Sequence, residues 1–159
     1  MKVGDDNGFM EMVERQRDLI WHVCSDYSLS AAWTVEDAFQ EVLVTLWRDW
    51  RRYEGRSLER TWVYRVATNV MLGLKRKMGN RPQPEEPLVD EAVEDDSNYQ
   101  YLMQLIDTLP VVDATIVKAH LDGFSYAETA KVVNLSVTAV AMRLSRARHK
   151  LKERYEKGF

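Results

Sequence analysis

Between Trp47 and Lys77 the chain interleaves rings with cations. Trp50, Tyr53, Trp62 and Tyr64 alternate with Arg51, Arg52, Arg56, Arg60 and Arg65. This mixture suits nucleic acid that is being opened. Rings take unstacked bases, at roughly 1–3 kcal/mol per base, while guanidinium groups meet phosphates. Any one ring taken singly is more simply explained by core packing, and Tyr64 is expected to be mostly structural. Trp62 and Asn69 are stronger candidates, because they border or share the polar face of their helix.

A second constellation lies in residues 125–152, SYAETAKVVNLSVTAVAMRLSRARHKLK. Ser125 caps a short helix containing Ala130. Asn134 occupies the turn, where a positive φ is needed and Asn tolerates it best after glycine. Val140 packs back on Ala130, and Ser136 caps the second helix. On that helix Val137, Val140, Leu144, Ala147 and Leu151 face inward. Thr138, Met142, Ser145, Arg146 and His149 face out, flanked by Arg143, Arg148 and Lys150. A helix of this width fits a major groove, with Arg146 placed to read a base edge and Arg143 to meet phosphate. The alternative is a basic amphipathic helix that packs on protein.

Enzyme chemistry finds little footing. His22, His120 and His149 are scattered, and His22 and Cys24, two apart on a helix, point to different sides and make a poor metal pair. There is no glycine-rich phosphate loop. No metal, cofactor or catalytic centre is expected. Asp37, Gln40, Glu41 and Thr45 form an acidic-polar strip that, alone, reads as a solvated helix face.

The elements that must position these groups are helices. Phe9, Met12, Val13, Leu19, Ile20, Val23 and Tyr27 recur at helical spacing. Thr34 offers an N-cap to a helix that runs to about Tyr53 and buries Ala38, Val42, Leu43 and Leu46. Glu54-Gly55-Arg56 is a turn, and Ser57 caps a third helix. Its apolar stripe is Val63, Val66, Ala67, Val70 and Leu74, opposite Arg65, Thr68, Asn69, Leu72 and Arg76. Residues 81–98 hold Pro82, Pro84, Pro87 and seven acidic side chains, and read as an acidic linker. Tyr99 to Leu109 and Val111 to Leu121 resume helix, the latter closed by Asp122-Gly123. The fold class is therefore all-α, with helical domains at 1–80 and 99–159, the second carrying a helix-turn-helix.

Composition agrees. Across 159 residues, 45% apolar content supports packed cores, and 7 glycines with 4 prolines are too few for a turn-rich β fold. One cysteine excludes an internal disulfide framework. The net charge of −3 conceals segregation. Residues 43–82 carry 10 basic and 3 acidic side chains, residues 129–159 carry 8 and 2, and residues 83–128 between them carry 1 and 11. Two basic blocks around an acidic one fit a chain that touches polyanion at two places. No apolar run is long enough to span a bilayer, and the N-terminus lacks the layout of a secretory signal, so a cytoplasmic location is expected.

Two segments together resemble bacterial RNA polymerase sigma factors of the extracytoplasmic-function group. The markers are D-x-x-Q-E at Asp37, Gln40 and Glu41; W-x-Y-R-x-A-x-N at Trp62, Tyr64, Arg65, Ala67 and Asn69; Leu109-Pro110; Gly123-x-Ser125-Tyr126; and R-L-x-R-A-R at Arg143 to Arg148. The resemblance implies a dissociable subunit of RNA polymerase that directs promoter-specific initiation. Core polymerase would dock on Asp37, Gln40, Glu41 and Thr45, with Trp47 as an anchor. Tyr53, Glu54, Arg56, Ser57, Trp62, Arg65 and Asn69 would surround a flipped base of the −10 promoter element. Ser136, Thr138, Met142, Arg143, Ser145, Arg146 and His149 would meet the −35 element. Many members are held by an anti-sigma factor, which makes one a candidate partner. Three positions depart from the pattern: Ala114 where arginine is usual, Thr129 where isoleucine is usual, and Ala141 where many relatives carry a polar or basic reader. A stand-alone helix-turn-helix regulator would explain residues 125–152 but not the aromatic-basic block. A helical adaptor would explain the acidic strip but neither basic block.

Overall fold

The computed structural model describes residues 6–27, 33–55, 58–77 and 94–157. Among them are seven helices and no strand: α1 (Asp6–Asp26), α2 (Val35–Trp50), α3 (Glu59–Lys77), α4 (Glu94–Asp107), α5 (Val111–Leu121), α6 (Tyr126–Val133) and α7 (Val137–Lys157). They form two compact units, Met1–Gln83 and Pro84–Phe159.

In the first unit α1, α2 and α3 each pack on the other two. Met12 and Ile20 of α1, Val42 and Leu46 of α2, and Val63, Ala67 and Met71 of α3 are fully buried. The start of α2 is set by a reciprocal capping box. Asp37 N–H donates to Thr34 Oγ1 (3.1 Å) and Thr34 N–H to Asp37 Oδ2 (3.2 Å). The helix stops at Trp50 rather than Tyr53, because the N–H groups of Arg52 and Tyr53 turn back to the carbonyls of Asp49 and Trp50 in a tighter, three-residue pattern.

The buried face of α3 is wider than one apolar stripe. Thr61, Tyr64, Thr68 and Met71 are buried, whereas Val66 and Val70 are half-buried. Thr68, which hydropathy assigns to the polar face, lies in the core with its hydroxyl unpartnered. The reason is that α3 faces two helices, so its contact arc exceeds what side-chain polarity alone suggests. Leu43, expected in the core, is half-buried.

In the second unit α5 is central. Residues Ala114 to Ala119 are all buried, as α4, α6 and α7 surround them. Lys118, 1% exposed, pairs with Asp107 at 3.0 Å. The core joins Ile106, Leu109, Ile116, Val117, Ala130, Val140, Leu144 and Ala147. Gly123 (φ +86°) closes α5, with its N–H on the His120 carbonyl and that of Phe124 on Ala119. Helix α4 begins at Glu94, inside the segment expected to be linker. A run of acidic residues is as compatible with the positive end of a helix dipole as with an extended chain.

Candidate nucleic-acid interfaces

The aromatic residues of the first unit form a layered cluster. Phe9 of α1 meets Trp47 (centroids 5.0 Å, edge-on) and Trp50 (6.0 Å) of α2. Trp50 then meets Tyr53 (6.2 Å) and Trp62 (6.0 Å), and those two stack on each other at 4.7 Å and 27°. Burial grades across the layers. Trp50 is 5% exposed with its indole N–H unpartnered, whereas Tyr53 and Trp62 are half-buried. Trp50, a base-capture candidate by composition, is instead the floor beneath a Tyr53–Trp62 platform. Tyr64, 1% exposed, belongs to the core.

Trp62, Arg65 and Asn69 follow at helical spacing along α3, the last two exposed. They continue the platform with a cation and an amide. Glu54 is exposed beside it; Arg56 and Ser57 lie outside the described residues. Burial, and then the nearby Glu59 carboxylate, raise the Tyr53 hydroxyl above its ordinary value.

The second unit presents a single helix. Ser125 and Glu128 form a capping box at the start of α6. Asn134 takes the left-handed conformation (φ 58°, ψ 49°), and the Leu135 N–H returns to the Ala130 carbonyl at 3.1 Å. Ser136 Oγ then accepts from Ala139 N–H (3.1 Å) and starts α7. Ser136, Thr138, Met142, Ser145, Arg146 and His149 are all exposed. His149 also pairs with Glu153 one turn on, at 3.3 Å. Val137, expected inward, is 48% exposed, because packing runs out at the first position of the helix.

Arg143 points elsewhere. Its guanidinium donates to Asp113 Oδ1 of α5 at 3.0 Å. Arg148 likewise donates to His120 Nε2 of α5 at 2.6 Å, and Arg154 hydrogen-bonds the Thr108 hydroxyl. These flanking cations fix the roll of α7 on its unit and leave Arg146 on the exposed face.

On α2, Asp37, Gln40 and Glu41 are exposed and line a surface groove with Trp33. Thr45 is half-buried, its hydroxyl donating to the Glu41 carbonyl at 3.0 Å. Val44 and Trp47, 60% and 44% exposed, extend the same side of the helix with apolar surface. Cys24 is buried, and its thiol is pushed up to about 12, which keeps it protonated and unreactive at neutral pH.

Residues 12–81 match the family Sigma-70 region 2, and residues 99–151 match Sigma-70, region 4. The chain belongs to the sigma-70 factors, in the extracytoplasmic-function group. Over 91% of its length it is 29% identical to the ECF RNA polymerase sigma-E factor of Escherichia coli (strain K12), covering 85% of that protein. Its fold resembles CnrH, solved in complex with the cytosolic domain of CnrY (TM-score 0.74, 22% identity, 97% of this chain and 91% of that one). A second fold relative is the sigma factor RpoE, solved with the anti-sigma factor NepR from Bartonella quintana (0.72, 19%, 93% and 96%). Like its family, the chain is a promoter-directing subunit of RNA polymerase.

In this sigma factor the region 2 match spans the aromatic platform and the α2 strip, and the region 4 match spans the helix-turn-helix. Neither spacing nor composition singles out Trp33 or Val44. Trp33 stands just before the Thr34 cap, and Val44 is an isolated apolar residue that no hydropathy stripe rejects from the core. Asp37 was legible as a motif residue and docking candidate; its place in the capping box gives it a structural task as well. Among the departures from the family pattern, Ala114 and Thr129 are buried and Ala141 is half-buried on α7. Among the described residues, no helix is long and apolar enough to cross a membrane.

Proposed function

We propose that the two units of this sigma factor divide promoter recognition, with residues 1–80 opening the −10 element and residues 99–159 reading the −35 element. The observation that carries this reading is the Tyr53–Trp62 stack. It leaves two rings half-open beside Arg65 and Asn69, a surface suited to an unstacked base and its backbone. Glu54 lies beside that site, and the family resemblance adds Arg56 and Ser57 to the same −10 contact set. The exposed face of α7, from Ser136 and Thr138 through Met142, Ser145 and Arg146 to His149, enters the major groove. Arg143 serves this face from behind, through Asp113.

Core polymerase docks on Asp37, Gln40, Glu41 and Thr45, with Trp33, Val44 and Trp47 supplying apolar anchors of the kind that dominate interface energetics. The acidic stretch within 81–98 disfavours DNA along its own length and separates the two contacts. Polymerase supplies the bond-making chemistry; the sigma factor binds and opens DNA, needs no cofactor, and works in the cytoplasm. An anti-sigma factor is its proposed inhibitor, since both solved fold relatives are complexes and one partner carries that name.

The test is reconstitution with core polymerase on a genomic DNA library, followed by mapping of transcript starts. Starts that share −10 and −35 sequences are expected. Sequence-specific binding by the isolated chain, with no polymerase-dependent starts, would instead favour a stand-alone regulator.

A further inference from the structure

One residue next to the platform has a partner that sequence spacing does not predict. Glu59 is the first residue of α3. Its carboxylate accepts from Arg15 Nε (3.1 Å) and Nη2 (2.6 Å), and from Gln16 Nε2 (2.8 Å), all on α1. Arg15 and Glu59 are 44 positions apart in the chain. A single exposed ion pair is worth little. This contact differs, because the guanidinium is bidentate, an amide adds a third bond, and the carboxylate is only 26% exposed.

Its position gives it meaning. Trp62 lies three residues on, one turn along α3, and stacks on Tyr53. The Glu59 charge is near enough to act on the Tyr53 hydroxyl. A bare carboxylate at this spot would repel the phosphates of an opening strand. Paired with Arg15, its charge is offset locally, and the start of α3 is tied to α1.

We infer that Glu59, held by Arg15 and Gln16, is a positioning residue for strand opening: it sets the first turn of α3 so that the Tyr53–Trp62 stack is preformed for an unstacked base. Arg15 is accordingly a structural cation rather than a phosphate contact. This inference rests on the proposed −10 role of the first unit.

The experiment uses the full chain with core polymerase and a promoter carrying 2-aminopurine in its −10 element. Opening rate, core affinity and thermal melting are measured for wild type, Glu59→Ala, Glu59→Gln, Arg15→Ala and Trp62→Ala. Glu59→Ala and Arg15→Ala should each slow opening by about tenfold, with core affinity held within about twofold. Glu59→Gln keeps an acceptor for Arg15 and should fall between them and wild type. An unchanged opening rate in Glu59→Ala and Arg15→Ala, beside a defective Trp62→Ala, overturns this inference alone. Normal opening by Trp62→Ala overturns both it and the −10 assignment. If opening, core affinity and melting temperature decline in parallel, the clamp merely braces the fold and the inference is wrong.

Discussion

In the second unit, the surface proposed to meet DNA comes from one helix whose start is set by its neighbours in sequence. Ser125 and Glu128 cap α6, Asn134 makes the turn, and Ser136 caps α7, all within a dozen residues. The platform of the first unit is assembled differently. Phe9 comes from α1, Trp50 from the end of α2, Tyr53 from the following turn and Trp62 from α3. In a site of the first kind the start and turn are written in neighbouring residues, and distant partners set only the roll of the finished helix. A composite site depends on the packing of the whole unit, and a residue far from the DNA can govern it. The two proposed roles fit this contrast. Reading duplex edges needs one rigid rod at one angle, whereas holding an unstacked base needs several rings brought to one place.

The largest effect should come from removing the floor of the composite site. Trp50→Ala deletes a buried indole and is expected to cost about 3–5 kcal/mol of stability in the first unit, read by chemical denaturation. Promoter opening should fail while −35 duplex binding by the holoenzyme is retained. Loss of −35 binding to the same degree would show that the two sites are not separable.

On α7, Arg146→Ala should cost about 1–3 kcal/mol on a wild-type −35 duplex and clearly less on a scrambled one. Arg143→Ala should instead weaken both duplexes alike and destabilise the second unit by no more than about 1 kcal/mol, because its partner is Asp113 and the pair is partly exposed. A double-mutant cycle with Asp113→Ala checks this. Full additivity would mean that the Arg143–Asp113 contact contributes nothing.

The local construction of the second unit is tested at its turn. Asn134→Gly should be nearly neutral in thermal melting, whereas Asn134→Ala should lose about 1–2 kcal/mol, since Cβ disfavours the left-handed conformation. Equal losses would show that the Asn134 side chain, not its backbone, is what matters.

A comparable loss awaits Asp37→Ala, about 0.5–2 kcal/mol through the α2 capping box. This makes Gln40→Ala with Glu41→Ala the cleaner probe of polymerase docking. The double variant should weaken capture of core polymerase with helicity and melting unchanged. Undiminished capture would remove this strip from the interface.

The smallest effect concerns pH. Hydrogen bonding from Arg15, with Gln16 and the Arg15 charge assisting, holds the Glu59 carboxyl below its ordinary 4.5. Its stabilisation is thus complete above that ordinary value and disappears as pH falls through the lowered one. The melting difference between wild type and Glu59→Gln should be flat from neutral pH to about pH 5 and narrow only in stronger acid. A difference that narrows already near neutral pH would mean another group controls the α1–α3 contact.

Helix identity, the caps at Thr34, Ser125 and Ser136, the left-handed Asn134 and the outward face of α7 were all legible from the amino acids in order. Each depends on groups within about one helical turn of one another, so their chemistry is carried by spacing alone. Tertiary structure decided the rest. It placed Thr68 in the core and Val137 outside, because burial depends on which helices lie opposite a side chain and not on its own polarity. It set Trp50 beneath the Tyr53–Trp62 pair and gave Arg143 a partner within the protein, Asp113. Partners 30 and 44 positions away, Asp113 and Glu59, meet Arg143 and Arg15 only after the helices have packed. Hydropathy and periodicity describe one helix at a time, and a contact between two helices depends on a rotation and a register that neither strand of sequence contains.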